Sequence, residues 1–347
     1  MMSGENNRKR FDPFIAIIIV ISVVAVVVTV INFTEVRKSI DMYSDSKPAE
    51  QLNMYSRHYV MLSDSGENEL WQDIYNYANE YARANDSYVE WAGDNLIEEF
   101  TKTELMEMAI LADVDGIIVE GDESGELSML INRARDNDIP VVTVMTDAPE
   151  SMRNSYVGIS GYDIGLEFGE RIINFAENGG KEINDIMILL SRGEAAQNTM
   201  YLALMERLSK EYDFNVDVKI IDSAASFGAD EAIRDILINI DNVPDVMVCL
   251  SDGITKSAYQ SLIEYNKVNG TYLLGIALSD EIFSAVRKGL VECAISVDKK
   301  QMGANCVEAL LEYGNTGYVS EYIMVDTTLV NKENVGDLIY DKNKGAD

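Results

Sequence analysis

The chain has 347 residues, with 28 Lys and Arg against 59 Asp and Glu, a formal net charge of −31. That acidic surplus excludes nucleic acid as a partner, because phosphate binding needs clustered cations. Three cysteines exclude a disulfide scaffold, and a single histidine, His58, argues against a His-based metal site or a Ser-His-Asp triad. An apolar share of 47% can supply a core, and the length suits one bilobal unit or two domains behind an N-terminal segment.

Residues 1–12 carry Arg8, Lys9 and Arg10 and are expected on the cytoplasmic side. The uncharged Ile- and Val-rich run that follows is long enough to cross a bilayer, so 13–33 is expected to be a transmembrane helix. A cleaved signal peptide is the alternative. The sequence after the run offers no small-residue pair for cleavage, and no cysteine lies near it for a lipid anchor. The protein is therefore expected at the cell membrane, single-pass, with its N-terminus inside and the rest outside. Residues 34–56 form a polar juxtamembrane linker, in which a short helix would stop at Pro48.

From His58 onward strands and helices alternate. Strands are expected at 59–63, 87–91, 115–119, 139–145, 185–190, 214–221, 245–250, 272–277, 291–297 and, as one last strand, 322–330. Helices are expected between them, among them 163–177, 197–210, 229–239, 254–267, 279–288 and 300–313. Unbroken apolar strands in a βαβα rhythm predict an α/β fold, with parallel sheets covered by helices on both faces. Cys249 and Cys293 fall inside such strands and Cys306 in a helix, as small hydrophobes. A pseudo-repeat is present. Asp115 opens one apolar strand and Asp122 lies seven residues on; Asp245 and Asp252 repeat that spacing. Two similar lobes follow, and ligands of open parallel sheets bind beyond the strands' carboxyl ends.

The segments Val-Asp-Gly-Ile-Ile-Val from 114, Asp-Ile-Pro-Val-Val-Thr-Val from 138, Tyr-Val-Gly-Ile from 156, Asp-Val-Met-Val-Cys-Leu-Ser-Asp from 245 and Val-Arg-Lys-Gly-Leu-Val-Glu-Cys-Ala-Ile from 286 resemble the type 1 periplasmic binding proteins. The similarity is to the sugar-binding set that includes ribose- and xylose-type receptors, and it runs over about 57–335. The resemblance implies two doubly wound parallel-sheet lobes that close on a small solute. They would be joined by three crossings, near 147–160, 277–298 and 324–327. The domain would span 57–338, with one lobe from 57–159 and 298–325, the other from 160–297 and 326–338, and a tail at 339–347.

The resemblance also nominates a cleft. Asn68, Leu70 and Trp71 match an asparagine and aromatics at the start of the first helix; Asn68 suits an N-cap equally, and Trp71 suits packing. Glu120 and Asp122 follow the third strand and Asp147 the fourth, where carboxylates can accept hydrogen bonds from hydroxyls or simply be solvated loop acids. In the second lobe the matching places are Asn198, which could cap its helix, Phe227, which could be core, and Ser251 with Asp252. Four places depart from the sugar binders. Met145 and Thr146 replace an acid–arginine pair, and Met200, Tyr201 and Leu202 stand where an arginine is common. Ile276 and Ala277 follow Gly275 in place of an aspartate, and Val297 replaces a glutamine.

The expected function is that of a membrane-anchored, non-enzymatic receptor for a sugar-like solute, without cofactor or metal. Its partner would be an ABC permease or a membrane histidine kinase. A degenerate scaffold that acts only through protein partners is a second reading, and a glycoside-acting enzyme a third.

Overall fold

The computed structural model describes residues 55–338 apart from 64–68, 94–99, 123, 180, 192–194, 211, 222–227 and 240–242. The expected cytoplasmic segment and transmembrane helix, the linker as far as residue 54, Asn68, Phe227 and the tail at 339–347 lie outside the described residues. Among those described, no helix is long and apolar enough to cross a membrane. Residues Arg57–Asp347 form one unit, whose two lobes are each built around a six-stranded sheet.

The first lobe opens with β1 (Arg57–Leu62), α1 (Glu69–Ala84), β2 (Ser87–Trp91), α2 (Lys102–Leu111), β3 (Gly116–Glu120), α3 (Gly125–Asp136), β4 (Val141–Val144) and β5 (Ser155–Gly158). The chain then builds most of the second lobe: α4 (Gly161–Asn178), β6 (Asp185–Ser191), α5 (Ala195–Leu208), β7 (Asn215–Ile221), α6 (Gly228–Asn239), β8 (Val246–Cys249), α7 (Asp252–Glu264), a 3-10 turn (Val268–Gly270), β9 (Tyr272–Ala277), α8 (Asp280–Lys288) and β10 (Cys293–Val297). It returns for α9 (Lys299–Thr316) and β11 (Tyr322–Met324), and ends in the second lobe with β12 (Thr327–Asn331).

The strand orders are β11-β5-β4-β3-β1-β2 and β12-β10-β9-β8-β6-β7. Each sheet starts in its middle and grows in both directions, so each has one switch point, between β1 and β3 in the first lobe and between β6 and β8 in the second. β3 explains why its apolar run is unbroken. Ile118 packs under α1 and α9, while Ile117 and Val119 pack under α2 and α3. Each such side chain contributes about 1.5–3 kcal/mol by leaving water. In the second lobe, α4 and α5 cover one face, and α6, α7 and α8 the other.

Helix starts follow local chemistry. Thr101 and Glu104 form a reciprocal capping box on α2, and Ser124, Ser160, Ser251 and Asp298 cap α3, α4, α7 and α9. α4 lies close against α5 because Gly165 faces it; a Cβ there would stand 2.2 Å from the carbonyl oxygen of Met200.

Three sequence expectations are corrected. The last strand is two strands, β11 and β12, in different sheets, because the chain crosses between lobes at 325–326. β5 is an additional strand that the apolar pattern leaves unannounced. β12 runs antiparallel to β10, since it enters its sheet from the other lobe, so that sheet is not wholly parallel. The other two passages between lobes are at 159–160 and at Asp298. The three are stitched together: Val325 N donates to Gly158 O (2.8 Å) and Asp298 N to Asp326 O (3.0 Å).

Candidate functional site

The loops after β1 and β3 flank one switch point, and those after β6 and β8 the other. Open α/β sheets bind ligands at such places. Every described candidate except Asp147 lies beside a switch point. Leu70 and Trp71 begin α1, Glu120 ends β3 and Asp122 follows it, Asn198 lies in the first turns of α5, and Ser251 and Asp252 follow β8. Asp147 follows β4.

Trp71 is 2% exposed and shares a core cluster with Leu70, Met61, Val144, Val297 and Val325. Its ring packs within the first lobe beside the crossing segments, so a solute could stack on it only after neighbouring side chains move. Trp91 is partly buried and tilts against Tyr75, with ring centroids 5.3 Å apart.

Past β3, the Asp122 carboxylate accepts from Ser124 N (2.8 Å) and pairs with Lys102 (3.0 Å), whose side chain is 4% exposed. Burial opposes ionisation of Asp122, but the hydrogen bonds from Ser124 and Lys102 outweigh it and hold the carboxyl below its usual range.

Past β4, Asp147 takes Arg153 in a two-point pair (2.5 and 2.7 Å) and accepts from the Thr143 hydroxyl (2.9 Å) and Ala148 N (2.8 Å). These bonds engage both carboxylate oxygens in fixing the loop. Next to it Met145 has φ +65°. The other non-glycine residues in this region are aspartates and an asparagine, which tolerate it; Met145 does not, and such strain costs about 1–3 kcal/mol. It is held by Met145 N donating to Val157 O (3.0 Å) and by the Tyr156 hydroxyl donating to Met145 O (2.8 Å). Burial first, and the Asp147 charge second, push the Tyr156 phenol up to about 12. Gly158 leaves room for that hydroxyl, which would lie 2.0 Å from an added Cβ.

In the second lobe, the Ser251 hydroxyl accepts from Ile254 N (3.3 Å) as the α7 cap. Asp252 accepts from Leu278 N (2.7 Å), Ser279 N (3.2 Å) and the Ser279 hydroxyl (3.2 Å). Burial raises its pKa, against these bonds and the charge of Lys299. Lys299 opens α9 in the first lobe and donates to Asp73 of α1 (2.7 Å), so the field of the first lobe reaches the second at Asp252. Asn198 is exposed and sits inside α5, past the capping position. Its neighbour Gln197 is buried and accepts from Ser191 N (2.7 Å).

The departures from the sugar-binding pattern have structural occupations. Met200, Ile276, Ala277 and Val297 are core residues, each 5% exposed or less; the arginine nearest to Met200 along α5, Arg207, lies a full turn too late and donates to Glu170 (2.6 Å). Sequence reasoning missed Lys102, Arg153 and Lys299. Each sits at a strand-end loop or helix start, but only the folded chain tells which acid it meets. No cluster of three or more metal-ligating side chains occurs among the described residues.

Residues 59–317 match the family described as periplasmic binding protein domain. No curated protein sequence matches the chain. Solved structures with the same fold include GanP, a glucose-galactose binding protein from Geobacillus stearothermophilus. It is 23% identical over 80% of this chain and 98% of its own, with a TM-score of 0.70. XylFII in its complex with LytSN is 24% identical over 80% and 98%, with a TM-score of 0.67. An ABC transporter solute binding protein from Burkholderia graminis C4D1M, in complex with D-arabinose, is 17% identical over 81% and 97%, with a TM-score of 0.70.

Proposed function

This chain belongs to the periplasmic binding protein domain family, and from that premise we propose that it is a membrane-anchored receptor, not an enzyme, that closes two lobes on a sugar-like solute outside the cell. The observation that carries the reading is the pair of switch points, one per lobe, each flanked by candidate polar groups and joined by three crossings. The names of the structural relatives support a sugar: a glucose-galactose binder and a protein holding D-arabinose.

The solute contacts proposed here are Glu120 in the first lobe and Asn198, Ser251 and Asp252 in the second, with Asn68 and Phe227 from segments outside the described residues. Leu70, Trp71, Asp122 and Asp147 act behind them, through packing and ion pairs. Because Ile276, Ala277 and Val297 are taken up by the core, the hydroxyl-binding groups common at those places are missing, which favours a solute less polar than a simple pentose or hexose.

The receptor serves either delivery to an ABC permease or signalling through a membrane sensor such as a histidine kinase. XylFII is a structural relative solved with a second protein bound, which favours a protein partner. An uncleaved helix over 13–33 would hold receptor and membrane partner at high effective concentration.

Thermal unfolding of the full chain in detergent, against a panel of pentoses, hexoses and deoxy sugars, tests the reading. A bound sugar raises the melting temperature with concentration. No shift with any sugar would favour the scaffold that acts through protein partners alone. Terminal sequencing of the membrane fraction should find chains that start at Met1 or Met2; a dominant species beginning after residue 30 would defeat the anchor.

A further inference from the structure

The start of α8 is capped from the opposite lobe. Ser279 stands at its N-cap in extended conformation, φ −118° and ψ 150°, but makes no side-chain cap bond. Its hydroxyl is turned to Asp252, 3.2 Å from each carboxylate oxygen. The first backbone N–H of the helix, that of Asp280, donates to Glu69 Oε2 at 3.3 Å. Glu69 is the first residue of α1, in the other lobe. A carboxylate is the acceptor that exposed N–H groups and the helix dipole favour at this end. Asp252 thus diverts the local cap, and a first-lobe glutamate takes the second-lobe donor. This bond joins elements of different lobes and is separate from the three chain crossings, so it adds a contact between the lobes that the covalent connections do not require.

We propose that Glu69 is a latch: by capping α8 across the cleft, it holds the two lobes together before any solute enters. A protein that spends more time closed also binds its solute more tightly, because less of the binding energy goes into closure. The latch deepens the reading of the lobes as a clamp, but its test uses ligand-free protein, so failure to find a solute leaves it standing.

The test is a spin-label distance measurement on the full chain in detergent. Labels go on Glu126→Cys in α3 and Leu202→Cys in α5, both exposed. The three native cysteines are fully buried and take none. Glu69→Ala removes the acceptor. Asp280→Pro removes the donor and keeps the helix, since proline suits the first helical position and the extended Ser279 suits the residue before it. Circular-dichroism spectra with the parent's helix content and a cooperative melt, even at a somewhat lower midpoint, confirm that both variants fold.

The ligand-free parent should give mainly one short distance. Each variant should lower the ratio of short to long distances by about threefold or more, the usual effect of a lost helix cap. The double variant should open no further than either single one, because both break the same bond. Unchanged distances in the variants, or a double variant whose opening is the sum of the two, would overturn the latch.

Discussion

At the residue scale, the acids divide into those that hold the backbone at strand starts and loops and those proposed to meet a solute. Asp115 accepts from His58 N (2.7 Å) at the start of β1, and Asp245 accepts from Asn184 N and Asp185 N (2.9 and 3.1 Å) at the start of β6. The opening acids of the pseudo-repeat are therefore structural: Asp115 and Asp245 each satisfy donors at the foot of the strand across the switch point. Asp147 belongs with them. Arg153 is 4% exposed, so Asp147→Ala would leave a buried guanidinium unpaired and should destabilise the protein by about 3 kcal/mol in urea unfolding. Unchanged stability would make Asp147 available to solute instead. For Asp122 the sign of the pH dependence follows from its lowered pKa. Its stabilisation is present above the unfolded value of about 3.9 and is lost as pH falls through the lower folded value. With its side chain 34% exposed, Asp122→Asn should cost only about 1 kcal/mol at pH 7. That deficit should shrink as pH falls below the unfolded value, when both proteins are unfolded in urea. A deficit that persists at low pH would assign it to something other than the ionised pair with Lys102.

At the element scale, packing through glycine is the most exacting demand. Gly165→Ala would drive a methyl to 2.2 Å from the Met200 carbonyl oxygen and 2.8 Å from the Ala203 Cβ. Backbone cannot yield as a side-chain tip can, so α4 must move away from α5. The expected loss is about 1–3 kcal/mol, read as a lowered urea midpoint; an unchanged midpoint would mean that the two helices slide apart freely. The elements themselves were legible where burial is strong and long. β3 and β8 are continuous apolar runs, and α1 presents Leu70, Ile74 and Ala78 on one buried face. β5 was not, since four residues carry no period. The break between β11 and β12 was not legible in the apolar pattern, since neither glycine nor proline marks it; only the resemblance placed a crossing near 324–327. The candidate site was legible only as strand ends. Which of its acids are already engaged depends on Lys102, Arg153 and Lys299, which arrive from other elements.

At the scale of the whole molecule, closure must be absorbed at Gly158 to Ser160, at Asp298 and at Val325 to Asp326, because every connection between lobes runs through them. Trp71 shares its core cluster with Val297 and Val325, which flank two of these passages, and only Trp91 competes with it as a fluorophore. Trp71 is therefore a reporter of hinge movement even though its ring is buried. In a Trp91→Phe variant, a sugar that raises the melting temperature should also change the fluorescence intensity or wavelength saturably, at the same midpoint concentration. Trp71→Phe in the parent should remove that signal while leaving binding measurable by calorimetry. Trp71→Ala should weaken binding as well, because emptying this position lets α1 settle and moves Glu69 at its start. A flat signal from Trp71 with a sugar that binds by calorimetry would mean that the crossings stay fixed on binding. The lobes would then hold solute without rotating about them.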